Sequence, residues 1–173
     1  MRKFLILLSL VIPTIAFGQG DNDEDKVFIF QSNLPNELDH FYNQETIKAN
    51  YSIRTDLNPF YLRGDFDGDN KQDYALSIVE KKTEKIGILV YHSGTKIHYI
   101  IGAGKSLSNG SGGDDFNWMG AWKVYVSKDV GIGVGETDKI TLKGEAILAI
   151  KLESVSGIIY WTGKEYKWYQ QGD

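Results

Sequence analysis

The feature that most constrains this chain is a succession of short β-branched and aromatic runs set too close together for anything but antiparallel pairing. Tyr74–Glu80, Ile86–Tyr91 and Ile97–Ile101 are each built from residues that favour a pleated, half-buried surface. Only polar stretches such as Lys81-Lys82-Thr83-Glu84 and Ser93-Gly94-Thr95 separate them. A parallel return needs a crossover of a dozen or more residues, so these runs must form a meander. Pro59–Arg63 precedes them as a further strand, and Trp122–Val126, Ile140–Leu142, Ala146–Lys151, Gly157–Trp161 and Tyr166–Gln170 follow. The last two flank Thr162-Gly163-Lys164-Glu165, a tight connection in which Gly163 can take a positive φ. The expected class is mostly β (α+β): an antiparallel meander sheet with one short N-terminal helix.

That helix is predicted by Leu34, Leu38, Phe41 and Tyr42, which recur at helical spacing. Asn33 can cap it, Pro35 sits in the first turn where its missing N–H does no harm, and it ends before Asn50. Ahead of it the chain opens with Arg2 and Lys3, an apolar run from Phe4 to Ile12, and small residues at Ala16-Phe17-Gly18. This order predicts a signal peptide over 1–18, cleaved after Gly18. The apolar run is broken by Pro13 and falls short of the roughly 20 residues that span a bilayer. Residues 19–32, with the charged stretch Gly20–Asp25, read as a flexible acidic leader. About 155 residues remain after cleavage, and 33–173 are expected to form a single domain. The expected location is secreted or periplasmic, without membrane insertion once the signal is removed.

Composition removes several classes. With no cysteine, the chain has no lipobox, disulfide framework or thiol nucleophile. The acidic balance, 23 Asp and Glu against 19 Lys and Arg, lacks the concentrated positive surface that nucleic acid or anionic lipid requires.

Between two of the predicted strands lies Gly64-Asp-Phe-Asp-Gly-Asp-Asn-Lys-Gln-Asp-Tyr-Ala-Leu76. Carboxylates fall at loop positions 1, 3, 5 and 9, as Asp65, Asp67, Asp69 and Asp73. Calcium takes six to eight oxygen ligands at about 2.3–2.6 Å, and alternate residues of a curled loop can aim their side chains at one point. Lys71, at position 7, would lend its backbone carbonyl. Gly68 and Asn70 stand where the chain must turn sharply; glycine accepts positive φ freely and asparagine does so better than most. The aspartates repel one another, and a bound dication removes that conflict. An EF-hand needs Gly at position 6 and Glu at position 12, whereas this chain has Asn70 and Leu76.

Gly64–Leu76 resembles the calcium loop of FG-GAP and VCBS-type repeats, the Asp-x-Asp/Asn-x-Asp-Gly-x-x-Asp element between strands of integrin-like propeller blades. The likeness covers these 13 residues, with Asn70 in place of the usual sixth-position glycine. It implies structural calcium held by Asp65, Asp67, Asp69 and Asp73, and a strand from Tyr74. It also suggests a propeller-blade-like sheet, though the absence of further copies argues against a full propeller.

A glycine-rich loop from Gly102 to Asn117 is the second place where chemistry could reside. Asp114 and Asp115 beside Trp118 could form a carboxylate pair, and Trp161 and Trp168 lie in an aromatic cluster suited either to core packing or to stacking on a ligand. Gly104-Lys105-Ser106 imitates a P-loop ending, but the motif's first glycine would fall at Tyr99. His40, His92 and His98 show no paired ligand spacing and read as structural or surface residues. The leading expectation is therefore an exported calcium-binding β domain that acts by binding a glycan or protein. Alternatives are a hydrolase or hydrolase-accessory domain using Asp114 and Asp115, and an inhibitor of an extracytoplasmic enzyme presenting the Gly102–Asn117 loop.

Overall fold

A computed structural model describes residues 23–107, 112–154 and 156–172. The predicted signal peptide, residues 19–22 of the leader and residues 108–111 of the glycine-rich loop lie outside the described residues. Among the described residues no helix is long and apolar enough to cross a membrane.

The mostly β, antiparallel expectation holds, but the strands divide into two sheets. The first contains β1 (Tyr51–Ile53), β2 (Tyr61–Gly64), β3 (Asp73–Glu80), β4 (Ile86–His92) and β5 (Ile97–Gly102). Its order is β1-β3-β4-β5, and β2 shares the β1 flank of β3, pairing Tyr61 with Leu76 through to Gly64 with Asp73. The second sheet is a plain meander of β6 (Ala121–Tyr125), β7 (Ala146–Ile150), β8 (Ser156–Trp161) and β9 (Tyr166–Gly172). The chain leaves the first sheet at Gly102, Ala103 and Gly104, three consecutive residues with positive φ that a strand cannot accommodate. A 3-10 turn at Phe116–Trp118 then delivers it to β6.

Period-2 alternation separates three apolar cores. Leu62, Ala75, Ile88, Val90 and Ile101 of the first sheet meet Trp122, Ile147, Ala149, Ile159 and Trp168 of the second. Alternate residues of the first sheet, including Leu76, Ile78, Leu89 and Tyr91, face helical side chains on the other side. On the far face of the second sheet, Ala146, Ile158 and Tyr169 are covered by Val130 and Leu142 from the long β6–β7 connection. The Tyr169 hydroxyl holds that connection in place: it donates to the Asp138 carbonyl at 2.7 Å and accepts from the Gly133 N–H at 3.1 Å.

Several local expectations need correction. The leader expected to be flexible over 19–32 is helical from Asp23 to Ser32 (α1), and Phe30 packs on the helix-side core. The apolar Val27–Phe30 run provides the anchor that the acidic stretch alone lacks. The single helix ending before Asn50 is two, α2 (Asn36–Tyr42) and α3 (Glu45–Lys48). Pro35 occupies the N-cap of α2, while the Asn33 side chain donates to the Ile29 carbonyl of α1. Leu38, Phe41 and Ile47 still bury one continuous apolar face. Ile140–Leu142 forms only a bridge between Asp129 and Thr141, and β1 was not foreseen because its three residues give too short a pattern.

Gly157 tests the inter-sheet packing. A Cβ there would lie 2.0 Å from Cζ2 of the Trp168 indole. Gly157→Ala should therefore destabilise the protein by about 1–3 kcal/mol through overpacking, read as a lower urea midpoint with an unchanged m-value.

Candidate metal centre

The Asp65–Asp73 loop is shaped by its own carboxylates. Asp65 Oδ1 accepts the N–H groups of Gly68 (2.8 Å) and Asp69 (3.0 Å), and its Oδ2 accepts that of Asn70 (3.1 Å). Asp67 Oδ1 accepts from Asp69 and Asp69 Oδ1 from Lys71, so successive Asx turns curl the backbone tightly. The two residues expected at the sharp bends do adopt positive φ, +82° at Gly68 and +63° at Asn70. Between the acidic positions Phe66 points the other way and is buried in the inter-sheet core.

Although the loop belongs to the first sheet, the second holds it. The Asp65 N–H donates to Glu145 Oε2 at 2.8 Å, and the Glu145 N–H donates to the Asp65 carbonyl at 2.6 Å. Gly144 lets this approach occur, since a Cβ there would stand 2.2 Å from the Asp65 carbonyl oxygen.

Two overlapping triads result. Ligand atoms of Asp65, Asp67 and Asp69 lie within 4.8 Å of one another, and so do those of Asp67, Asp73 and His92. Two oxygens on opposite sides of an ion at about 2.3–2.4 Å are separated by about that much, so either triad could hold a metal ion. Lys71 is exposed, with Nζ 3.7 Å from Asp69 Oδ2. A cavity of about 450 Å³, lined in part by Arg63, Asp65, Asn70, Lys71, Gln72 and Glu145, opens beside the loop.

Asp73 is completely buried. Its Oδ2 accepts the Phe66 N–H at 3.0 Å and its Oδ1 that of Ser93 at 2.8 Å. Desolvation pushes its pKa up to about 7, and the neighbouring Asp67 and Asp69 charges add to that rise, against the two N–H groups. Each oxygen keeps a free lone pair, which suits a cation ligand.

The sequence reading assigned His92 no metal role, yet it completes the inner triad. The β3–β4 register pairs Tyr74 with Tyr91, which places His92 beside Asp73. Counting back from the Lys81–Glu84 turn would have found this. His92 is buried, with Nε2 2.6 Å from the Tyr166 hydroxyl and Nδ1 3.3 Å from Asp67 Oδ2. Burial lowers its pKa, partly countered by the Asp67, Asp69 and Asp65 charges.

No protein-family model, curated protein or solved structure matches the chain.

The other candidate residues lie apart from the loop carboxylates. Asp114 is bonded to Lys85, which holds its carboxyl below the usual range. Asp115 caps the 3-10 turn, its Oδ1 accepting from Ile86 at 2.9 Å and Asn117 at 3.1 Å. Trp168 is buried, while Trp118 and Trp161 are half-buried against the inter-sheet core. Trp118 donates Nε1–H to the Gly112 carbonyl, and Trp161 packs on Tyr99 and Tyr166.

Asp73 gives the centre a pH signature. Its folded pKa lies above the unfolded value of 3.8, so its contribution to cation-free stability is present below that pH and lost as pH rises to about 7. A metal ligand must instead be ionised. The melting-temperature difference between cation-loaded and chelated protein should therefore widen between about pH 4 and pH 7. A difference independent of pH would show that Asp73 takes no part.

Proposed function

We propose that this chain is an exported β domain whose loop is fastened by one calcium ion, and that it acts by binding a protein ligand. The observation that carries the metal half is the convergence of Asp65, Asp67 and Asp69, with Asp67 shared with buried Asp73. In this reading Asp65, Asp67, Asp69 and the Lys71 carbonyl supply an all-oxygen set, which favours calcium over the water-keeping magnesium ion. The ion's work is structural: the loop it stiffens is the one Glu145 ties to the second sheet.

Binding is favoured over hydrolysis because Asp114 and Asp115 are both committed to structural contacts. Protein is favoured over glycan because Trp168 lies in the core and Trp118 and Trp161 pack against it, leaving few broad indole faces for sugar rings. Exposed apolar side chains occur instead at Phe28 and Ile29 of α1. Ile29 lines a groove of about 390 Å³ together with Phe30, Leu57 and Phe60. The inhibitor alternative rests on the Gly102–Asn117 loop, whose flank is tied down by the Gly104 N–H bond to the Asp114 carbonyl.

Chelation should lower the melting temperature and calcium should restore it. At a hundredfold excess over Kd the gain is about 2.7 kcal/mol, or several degrees for a domain of this size. Asp67→Asn should abolish the response; a melt indifferent to chelator and calcium removes the calcium reading. For the ligand class, a glycan array should remain silent and Ile29→Ser should reduce retention of a protein ligand. Sugar signals that vanish on replacing Trp161 would favour the glycan alternative.

A further inference from the structure

The inner triad has donor chemistry that a calcium loop of this kind does not need. Asp67, Asp73 and His92 present two carboxylates and one imidazole with ligand atoms within 4.8 Å of one another, and Asp73 and His92 are both buried. The outer triad is all oxygen and ends in exposed Asp69. Asp67 is common to both. A hard ion gains little from an imidazole, whereas zinc and its first-row neighbours bind nitrogen at about 2.0–2.1 Å and accept carboxylate alongside it.

The imidazole is also held as a ligating imidazole is usually held. Its Nε2 stands 2.6 Å from the Tyr166 hydroxyl, fixing the ring while Nδ1 faces Asp67. Outer partners of this type set both tautomer and ring direction at metal sites. Tyr99, Tyr166 and Trp161 wall the ring in, with centroids 4.9, 5.8 and 5.2 Å away, and limit the rotation that would carry Nδ1 elsewhere.

We propose that Asp67, Asp73 and His92 Nδ1 form an inner position selective for a first-row transition dication of the zinc class, backed by the Tyr166 hydroxyl. This rests on the preceding reading only in taking Asp67, the residue common to both triads, as a cation ligand. The position is distinct in donor set and in burial. With Nδ1 engaged, Nε2–H donates to the Tyr166 oxygen. Three protein ligands leave the remaining coordination positions to water or to further loop oxygens.

The test uses Co2+, a visible-absorbing substitute for zinc, added to the chelator-stripped full chain. Wild type should develop a d–d band that Zn2+ displaces, and His92→Gln should weaken Co2+ affinity by at least about tenfold. The calcium-induced melting shift should be largely kept in that variant, while Asp65→Asn should lose calcium and retain the Co2+ band. His92 is buried, so a second measurement leaves it in place. The chain has three histidines, and His40 and His98 are exposed, so His40→Gln/His98→Gln leaves His92 as the sole imidazole. Pulsed EPR of Cu2+, a paramagnetic first-row dication that takes imidazole readily, bound to that chain with ¹⁵N-labelled histidine should report a directly bonded nitrogen. Calcium binding without nitrogen coupling, or Co2+ affinity unchanged in His92→Gln, overturns this proposal alone. Failure of every ion to bind overturns the calcium reading with it.

Discussion

A carboxylate taken completely out of water must either hold a proton or find a cation, and Asp73 is that carboxylate. Two backbone N–H groups offset only part of its desolvation, leaving its pKa near 7. Its charged neighbours, Asp67 and Asp69, are negative and make matters worse. Around it the chain has nonetheless built well-formed structure: β3 begins on it, Phe66 and Ser93 donate to it, and His92 stands opposite. A carboxylate this costly to ionise, set beside His92 and Asp67, is the physical reason this loop could hold a metal ion.

The loop's position gives that charge wider reach. It connects two strands of one sheet, yet the backbone N–H and carbonyl of its first residue are bonded to the side chain and N–H of Glu145 at the entrance to β7. Phe66 meanwhile enters the core between the sheets. Local order in nine residues is thus coupled to how the two sheets meet. The apolar side chains between them hold the sheets together, and the Asp65–Glu145 bonds join the loop to the second sheet at one end.

Much of this was legible in the sequence because it depends on local rules. Strands β3, β4 and β5 were bounded within a residue or so, since their alternation is strong and their connections short. The loop was legible because carboxylate spacing and positive φ at Gly68 and Asn70 are local matters. What escaped was non-local. The glycine-rich run after Gly102 announces a long loop, but nothing in it announces that the strands beyond will form a second sheet instead of continuing the first. His92 carries no ligand spacing along the chain and becomes part of the centre only through pairing with β3. Asp114 and Asp115 looked like a chemical pair, but Lys85 and the Ile86 N–H, both remote in sequence, engage them.

The Tyr169 hydroxyl, which fastens the β6–β7 connection to the outer face of the second sheet, ties the last strand to backbone atoms 36 and 31 residues upstream. Both partners are main-chain groups, an N–H and a carbonyl, so the anchor constrains where the backbone of the connection passes and makes no demand on the side chains it carries there.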